Sequence, residues 1–396
     1  MSSEFKANQT MYSHILDFES IRKKKTATPA IPPIGNKVIA PKFPPDPYEA
    51  EPGVKYFEDG SFEVSIFAEN AKSVQLAGTG GSMPGTYEMK KGDDGYWRVT
   101  VTDVHPGFHY IQFIVDGVKT LNPCLPFGYG SFEVLNYIEV PDTRFDFIDA
   151  KNVPHGSVRF ELMYSESVGR VRSVVVYTPP KYDEEPEKRY PVLYCLPGGG
   201  ENETAWIWQG KLNYMLDNLI ASGKIEEMIA VCPGGVIAQE QPDGRYFDLD
   251  FNELFCKEIV PFIDGKFRTI ADRESRAVFG VSLGGGQARG IVYGHTDLFA
   301  NLGQFSSGGG FTVEGESLSG RFDYSELFSS AEHYNAIMKK TFVTCGSDDP
   351  RHEFTSAQVK AFADRGYNIE YRSYPGHHEW DVWRFSMHHF VQRLFR

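Results

Sequence analysis

The sequence predicts a doubly wound, mostly parallel α/β domain that follows a small all-β sandwich. Three observations carry this. From residue 156 onward, short apolar runs alternate with helix-compatible stretches, the signature of parallel strands joined by crossover helices. Between 51 and 141, short alternating segments are punctuated by Gly, Asp and Pro, as in a sandwich of antiparallel strands. A Gly280-Val281-Ser282-Leu283-Gly284 turn sits between an apolar run and a helix-compatible stretch, which fits a sharp strand–turn–helix junction.

The 396 residues suggest two or three domains, and 41% hydrophobic residues can fill a sizeable core. The expected order is an extended arm at 1–50, the sandwich at 51–141, a polar connector at 142–155 and the α/β domain at 156–396. The arm holds a short basic run, Ile21-Arg22-Lys23-Lys24-Lys25, and a proline-dense stretch at 29–47 that reads as extended surface chain. A net charge of −13 argues against nucleic acid or an anionic membrane as partner. The five cysteines are dispersed, with no C-x-x-C pair, and read as buried reduced thiols. Met1-Ser2-Ser3-Glu4-Phe5-Lys6 opens no apolar signal region, and no apolar run is long enough for a bilayer. A cytoplasmic location is the expectation.

Within the sandwich, strands are expected at 62–68, 73–77, 96–101 and 110–115. In the second domain, 173–177 reads as a strand ended by Pro179-Pro180, and 191–196 as one buried on both faces. Leu212, Met215, Leu216, Leu219 and Ile220 mark one face of a helix closed by Gly223. A buried strand follows at 228–232, then a helix around Leu254, Phe255 and Val260. The junction strand, 276–279, and its helix, 287–293, come next. Late strands are expected at 341–345 and 369–374.

A serine at such a junction is a nucleophile only with a base beside it and an acid to orient that base. Ser282 is the candidate nucleophile, with Gly280 and Gly284 allowing strand and helix to approach. In this arrangement the acid precedes the base in the chain. Gly346-Ser347-Asp348-Asp349 follows a strand, and Asp349 is the chosen acid, with Asp348 as the alternative. Position removes most histidines. His14, His105, His109 and His155 come before the junction. His295 ends a helix, His333 precedes the acid and His352 follows it too closely. His388 and His389 fall within the closing helix. His377 and His378 remain, after a late strand and a Pro375-Gly376 turn, and His378 is the chosen base.

An oxyanion needs two N–H donors. The Leu283 amide is one, and Gly198 or Gly199 supplies the other, since Pro197 has no N–H. A phosphate-cradling reading of these glycines lacks the Lys-Ser/Thr that should follow. Trp206, Trp208, Gln209 and Trp380 are the candidate substrate contacts, with Trp383 on the same closing helix as Trp380. No His/Cys/Asp cluster has ligand spacing, so neither metal nor cofactor is expected.

The sandwich region resembles early-set immunoglobulin-like domains, especially family 48 carbohydrate-binding modules. The resemblance rests on Phe67-Ala68-Glu69-Asn70-Ala71-Lys72-Ser73-Val74, Asp93-Asp94-Gly95-Tyr96-Trp97 and Val115-Asp116-Gly117. It implies a structural or lid-forming role ahead of autonomous glycan binding. The second domain resembles carbohydrate esterase family 1, within the esterase D-like α/β-hydrolases that include feruloyl and acetylxylan esterases. Val153-Pro154-His155-Gly156, Gly198-Gly199-Gly200 with Glu203-Thr204-Ala205-Trp206, the Ser282 turn, Phe305-Ser306-Ser307 and Gly376-His377-His378-Glu379-Trp380 carry it. The resemblance implies the triad Ser282, Asp349, His378. It also implies a small-molecule or oligosaccharide ester as substrate, bearing a hydroxycinnamoyl or acetyl group on a plant-wall sugar. This chain departs from the pattern at Pro197-Gly198, where these esterases carry His-Gly. Competing readings are an acetylxylan esterase, an esterase of catecholate trilactone siderophores, and a non-catalytic glycan-binding protein.

Overall fold

The computed structural model describes residues 53–79, 83, 85–235, 251–308 and 324–396, and the backbone of 238–240 and 246–248. The expected arm at 1–50 lies outside the described residues. The chain forms two compact units, one comprising Met1–Gly128 and Val134–Arg144, the other Tyr129–Glu133 and Phe145–Arg396.

The first unit is all β. Its strands are β1 (Val54–Tyr56), β2 (Phe62–Phe67), β3 (Val74–Thr79), β4 (Thr86–Glu88), β5 (Lys90–Lys91), β6 (Tyr96–Val101), β7 (Gly107–Val115), β8 (Val118–Thr120), β9 (Phe127–Gly130) and β10 (Glu133–Val140). They build a four-stranded sheet in the order β1-β2-β6-β5 and a second sheet in the order β4-β3-β7-β10-β9, with β8 paired to β7. Alternation explains the core. Phe62 and Val64 of β2, Val74 and Leu76 of β3, and Ile111 and Phe113 of β7 point to one face of their strands and are fully buried together.

The second unit is built on an eight-stranded sheet. Its strands are β11 (Ser157–Ser165), β12 (Arg170–Thr178), β13 (Val192–Leu196), β14 (Ile229–Pro233), β17 (Arg276–Val281), β18 (Asn301–Phe305), β19 (Lys340–Gly346) and β20 (Glu370–Tyr374), with β15 (Ala238–Glu240) and β16 (Tyr246–Asp248) forming a separate pair. The order across the sheet is β11-β12-β14-β13-β17-β18-β19-β20. β12 runs antiparallel to both neighbours, and β13, β14 and β17 to β20 pair in parallel. Every residue of β13, β14, β17 and β18 is buried, as the crossover connections of a parallel sheet require. The helices are α1 (Ala205–Trp208), α2 (Leu212–Ala221), α3 (Phe251–Leu254), α4 (Val260–Lys266), α5 (Leu283–Gly294), α6 (Ala331–Ile337), α7 (His352–Ala363) and α8 (Trp380–Val391). This is the α/β-hydrolase architecture, preceded in the chain by a small antiparallel β unit.

The structure adds elements that the sequence reading does not place, among them β10, β11, α6 and α7, and two further differences bear on the site. β18 was not anticipated, because Asn301 and Gln304 interrupt its apolar run. Both are buried, and their amide nitrogens donate locally. Asn301 Nδ2 donates to the carbonyls of Glu274 and Arg276, and Gln304 Nε2 to that of Gly308. The stretch expected as a polar connector contains a 3-10 segment, Thr143–Ile148, with Phe145, Phe147 and Ile148 buried. Phe145 packs on Phe385 at 4.5 Å and Phe147 stacks on His388 at 4.1 Å. Asn218 Nδ2 donates to the carbonyls of Phe147 and Asp149. The polar residues of this stretch concealed an aromatic pair that α8 covers. The five cysteines are free thiols, four of them buried.

Candidate active site

Ser282 links β17 to α5 in a conformation that L-residues rarely adopt, with φ 52° and ψ −118°. The crowding explains the flanking glycines. A Cβ at Gly280 would stand 2.3 Å from the Gly284 backbone, and one at Gly284 2.3 Å from the Pro197 carbonyl oxygen. The Ser282 amide donates to the Phe305 carbonyl at 2.9 Å, tying the turn to the end of β18. The Ser282 hydroxyl makes no hydrogen bond among the described residues.

The loops after β18, β19 and β20 converge at the same carboxyl edge of the sheet. Ser307 lies against Gly285, and Arg351 against Gly308. The loops after β19 and β20 touch so closely that a Cβ at Gly346 would meet the Gly376 oxygen at 2.3 Å. The Asp348 amide donates to the Gly376 carbonyl at 2.9 Å. This contact fixes which acid faces the base. Asp349 is buried, at 3% exposure, and its Oδ2 accepts from His378 Nδ1 at 2.7 Å. Asp348 is exposed, and its carbonyl oxygen lies 3.1 Å from His377 Nδ1. With Nδ1 donating to Asp349, the His378 ring keeps Nε2 as its basic nitrogen.

Arg351 adds a cation that sequence reading missed. Its amide and its Nη1 both donate to Asp349 Oδ1, at 3.0 and 3.2 Å, and Nη1 lies 3.4 Å from His378 Nδ1. Burial pushes the Asp349 carboxyl up, but hydrogen bonds from His378 and Arg351, with the charge of His378, outweigh it and bring it to about 2. An Arg two residues after the acid was the available signal. Trp383 packs edge-on against the His378 ring at 5.2 Å.

The glycine loop after β13 is resolved into distinct roles. The Gly198 amide is buried and donates to Glu201 Oε2 at 2.9 Å. Gly199 is exposed, a Cβ added to it would stand 3.7 Å from the Leu283 side chain, and its amide has no acceptor among the described residues. The Leu283 amide opens α5, where no intrahelical acceptor exists. The Leu283 amide directly after Ser282 and the Gly199 amide, whose residue lies next to the Leu283 side chain, are therefore left without acceptors among the described residues, and the Gly198 amide is not one of them.

Three candidate substrate contacts require correction. Trp206, Gln209 and Trp380 are 0%, 0% and 1% exposed. Trp206 packs edge-on against Trp380 at 5.1 Å and Phe279 at 4.7 Å, and its Nε1 donates to the Leu196 carbonyl. Gln209 Nε2 donates to the Tyr129 carbonyl. These side chains hold the glycine loop and α8 on the sheet from below. Trp208 alone of the four is partly exposed.

Comparison with known proteins identifies the families that the two regions match. Residues 165–394 match the Esterase family model ("Putative esterase"), and residues 48–122 match carbohydrate-binding module 48, the isoamylase N-terminal domain. An endo-1,4-beta-xylanase/feruloyl esterase of Xylanibacter ruminicola is 30% identical over 97% of this chain and 52% of its own length. A solved ferulic acid esterase is 25% identical with a TM-score of 0.51, covering 62% of this chain and 100% of its own. The enterobactin esterase FES of Shigella flexneri shares the fold, at 15% identity and a TM-score of 0.60 over 86% of this chain and 96% of its own. The chain spans about half the length of the Xylanibacter relative.

Proposed function

We propose that this chain, which belongs to the Esterase family, is a serine hydrolase that releases feruloyl-type acyl groups from plant-wall-derived oligosaccharides or small phenolic esters. The observation that carries the reading is the pairing of half-buried His378 with the buried Asp349 carboxylate, closed at 2.7 Å on the same sheet edge as the strained Ser282 turn.

In this reading His378 Nε2 takes the Ser282 proton as Oγ attacks the ester carbonyl. The negative charge that develops on the carbonyl oxygen is received by the Leu283 and Gly199 amides. Collapse expels the alcohol, protonated by His378, and leaves an acyl group on Ser282. A water activated by the same imidazole then releases the acid. Asp349 holds the ring orientation and remains ionised throughout, because Arg351 and His378 stabilise its charge.

The similarity to the Xylanibacter ruminicola xylanase/feruloyl esterase and to a solved ferulic acid esterase supports the acyl choice. The likeness to an enterobactin esterase supports the fold alone. A panel of methyl ferulate, an acetylated xylo-oligosaccharide and a catecholate trilactone tests the reading. We expect kcat/KM to be highest for the ferulate, and a preference for acetyl or trilactone esters would replace it.

A further inference from the structure

The second unit holds a cavity of about 520 Å³ against the residues that follow the glycine loop. Tyr129, Phe132, Arg170, Arg172, Asn202 and Glu203 are among its lining residues. Gly199 and Asn202 are three residues apart, so their Cα atoms are at most about 11 Å apart. The cavity therefore opens within one or two sugar rings of the free Gly199 amide.

Its wall is built, not incidental. Residues 129–133 are fastened to the glycine loop and to α1's end by two hydrogen bonds, Phe132 N to the Gly200 carbonyl and Gln209 Nε2 to the Tyr129 carbonyl, each 2.9 Å. Ser131 and Phe132 take positive φ values of 52° and 66° there, a conformation that costs energy in non-glycine residues. The strained turn presents Phe132 with 70% of its surface exposed. Opposite, Arg170 and Arg172 are two residues apart on β12 and so share a face. Arg172 Nη2 is anchored to the Gly234 carbonyl at 2.7 Å. Arg170 has no hydrogen-bond or ion-pair partner among the described residues.

We infer that this cavity is a subsite for the sugar ring on the alcohol side of the ester. The inference rests on the esterase reading above. A sugar ring has an apolar C–H face and a rim of hydroxyl groups. An exposed phenyl ring suits the face. A guanidinium with unused donors and the Asn202 amide suit the rim. An aromatic acyl group would call for an apolar slot with few charges, whereas Arg170, Arg172, Asn202 and Glu203 set charged and amide groups beside the aromatic rings of this lining.

The test uses the full chain and two esters of the same acid, methyl ferulate and a feruloylated arabinoxylo-oligosaccharide. Arg170→Ala and Phe132→Ala both truncate exposed side chains, so the fold is retained. Each should raise KM for the oligosaccharide ester by about three- to tenfold, as expected for one lost contact, with kcat unchanged. Methyl ferulate kinetics should stay within about twofold of wild type, since that ester lacks the sugar. Binding of the unesterified arabinoxylo-oligosaccharide, followed by calorimetry, should weaken in the same variants. Equal losses on both esters would assign the cavity to the acyl group and overturn the inference. Unchanged oligosaccharide KM and unchanged sugar binding would also overturn it, while leaving the esterase reading intact. Arg170-dependent sugar binding in a protein that hydrolyses neither ester would sustain the subsite and remove the esterase reading instead.

Discussion

Glu201 accepts the amide hydrogen of Gly198 at 2.9 Å, and the Glu201 amide in turn donates to the Gly198 carbonyl at 3.2 Å. This reciprocal clasp closes a turn around Gly199 and Gly200, where Gly200 takes φ +83°. It consumes one glycine N–H and leaves the next one exposed beside Leu283. Pro197 has no N–H to offer, and the shape of the loop comes from the acid that follows it.

The clasp predicts a kinetic signature. Glu201→Ala should lower kcat about tenfold or more with little change in KM, because the donor it positions serves the transition state. Glu201→Gln keeps an acceptor in the same place and should retain most of the activity. Steady-state kinetics on methyl ferulate for both variants check this. A loss confined to KM would assign Glu201 to substrate binding.

The two neighbouring acids should separate cleanly. Asp349→Asn removes the carboxylate that orients His378 and should cost about 10³–10⁴ in kcat. Asp348 is exposed, and Asp348→Asn should stay within about twofold of wild type. Because the Asp349 carboxyl is drawn down to about 2, its stabilising charge is complete above the ordinary carboxyl range and is lost only as pH falls toward 2. Acid loss of activity between pH 4 and 6 is therefore not protonation of Asp349. The pH profile of kcat/KM should show no carboxylate limb near 4.

A stability prediction follows from α8. His388 is half-buried against Phe147, and burial, with the charges of His389 and Lys224, lowers it from 6.5 to about 4. The unfolded chain takes up a proton near pH 6.5 that the folded chain refuses until about pH 4. Stability from this group is therefore complete above pH 6.5 and declines between 6.5 and 4. After discounting for its partial exposure, His388→Gln should recover about 1 kcal/mol of the loss between pH 7 and 5. Thermal unfolding of wild type and variant across that range should show the decline in Tm shallower by about 2–4 °C.

The legible parts of this chain were those dictated by local backbone demands. The Ser282 turn announced itself because Gly280 and Gly284 have no room for a Cβ. β13 and β14 were legible because both faces are covered, which forces continuous apolar runs. Asp349 and His378 could be found because each follows a strand by a short turn. What escaped were features set by approach in space. Gln304 Nε2 in β18 donates to the Gly308 carbonyl, a partner four residues away that no periodicity shows. Trp206 and Trp380 looked like site aromatics because they flank the glycine loop and the base in sequence. Their contact with each other at 5.1 Å places them beneath the site. Arg351 and Glu201 are single charged residues whose roles depend on which loop they meet.

The acyl-enzyme route uses only a hydroxyl, an imidazole, a carboxylate and two amides. Activity on methyl ferulate should therefore survive prolonged EDTA treatment without loss. Full inactivation restored by added zinc or calcium would call for a different mechanism.

The central claim is that Ser282 carries the acyl group. Rapid mixing with 4-nitrophenyl ferulate, quenching within the first turnover, and peptide mass spectrometry test it directly. The account predicts a burst of about one 4-nitrophenol per chain, with a feruloyl adduct on the peptide that contains Ser282. Ser282→Ala should fold normally, show neither burst nor adduct, and lose all but about a thousandth of the turnover or less. An unmodified Ser282 peptide during turnover, or a Ser282→Ala protein that keeps more than about a few per cent of wild-type activity, would contradict it.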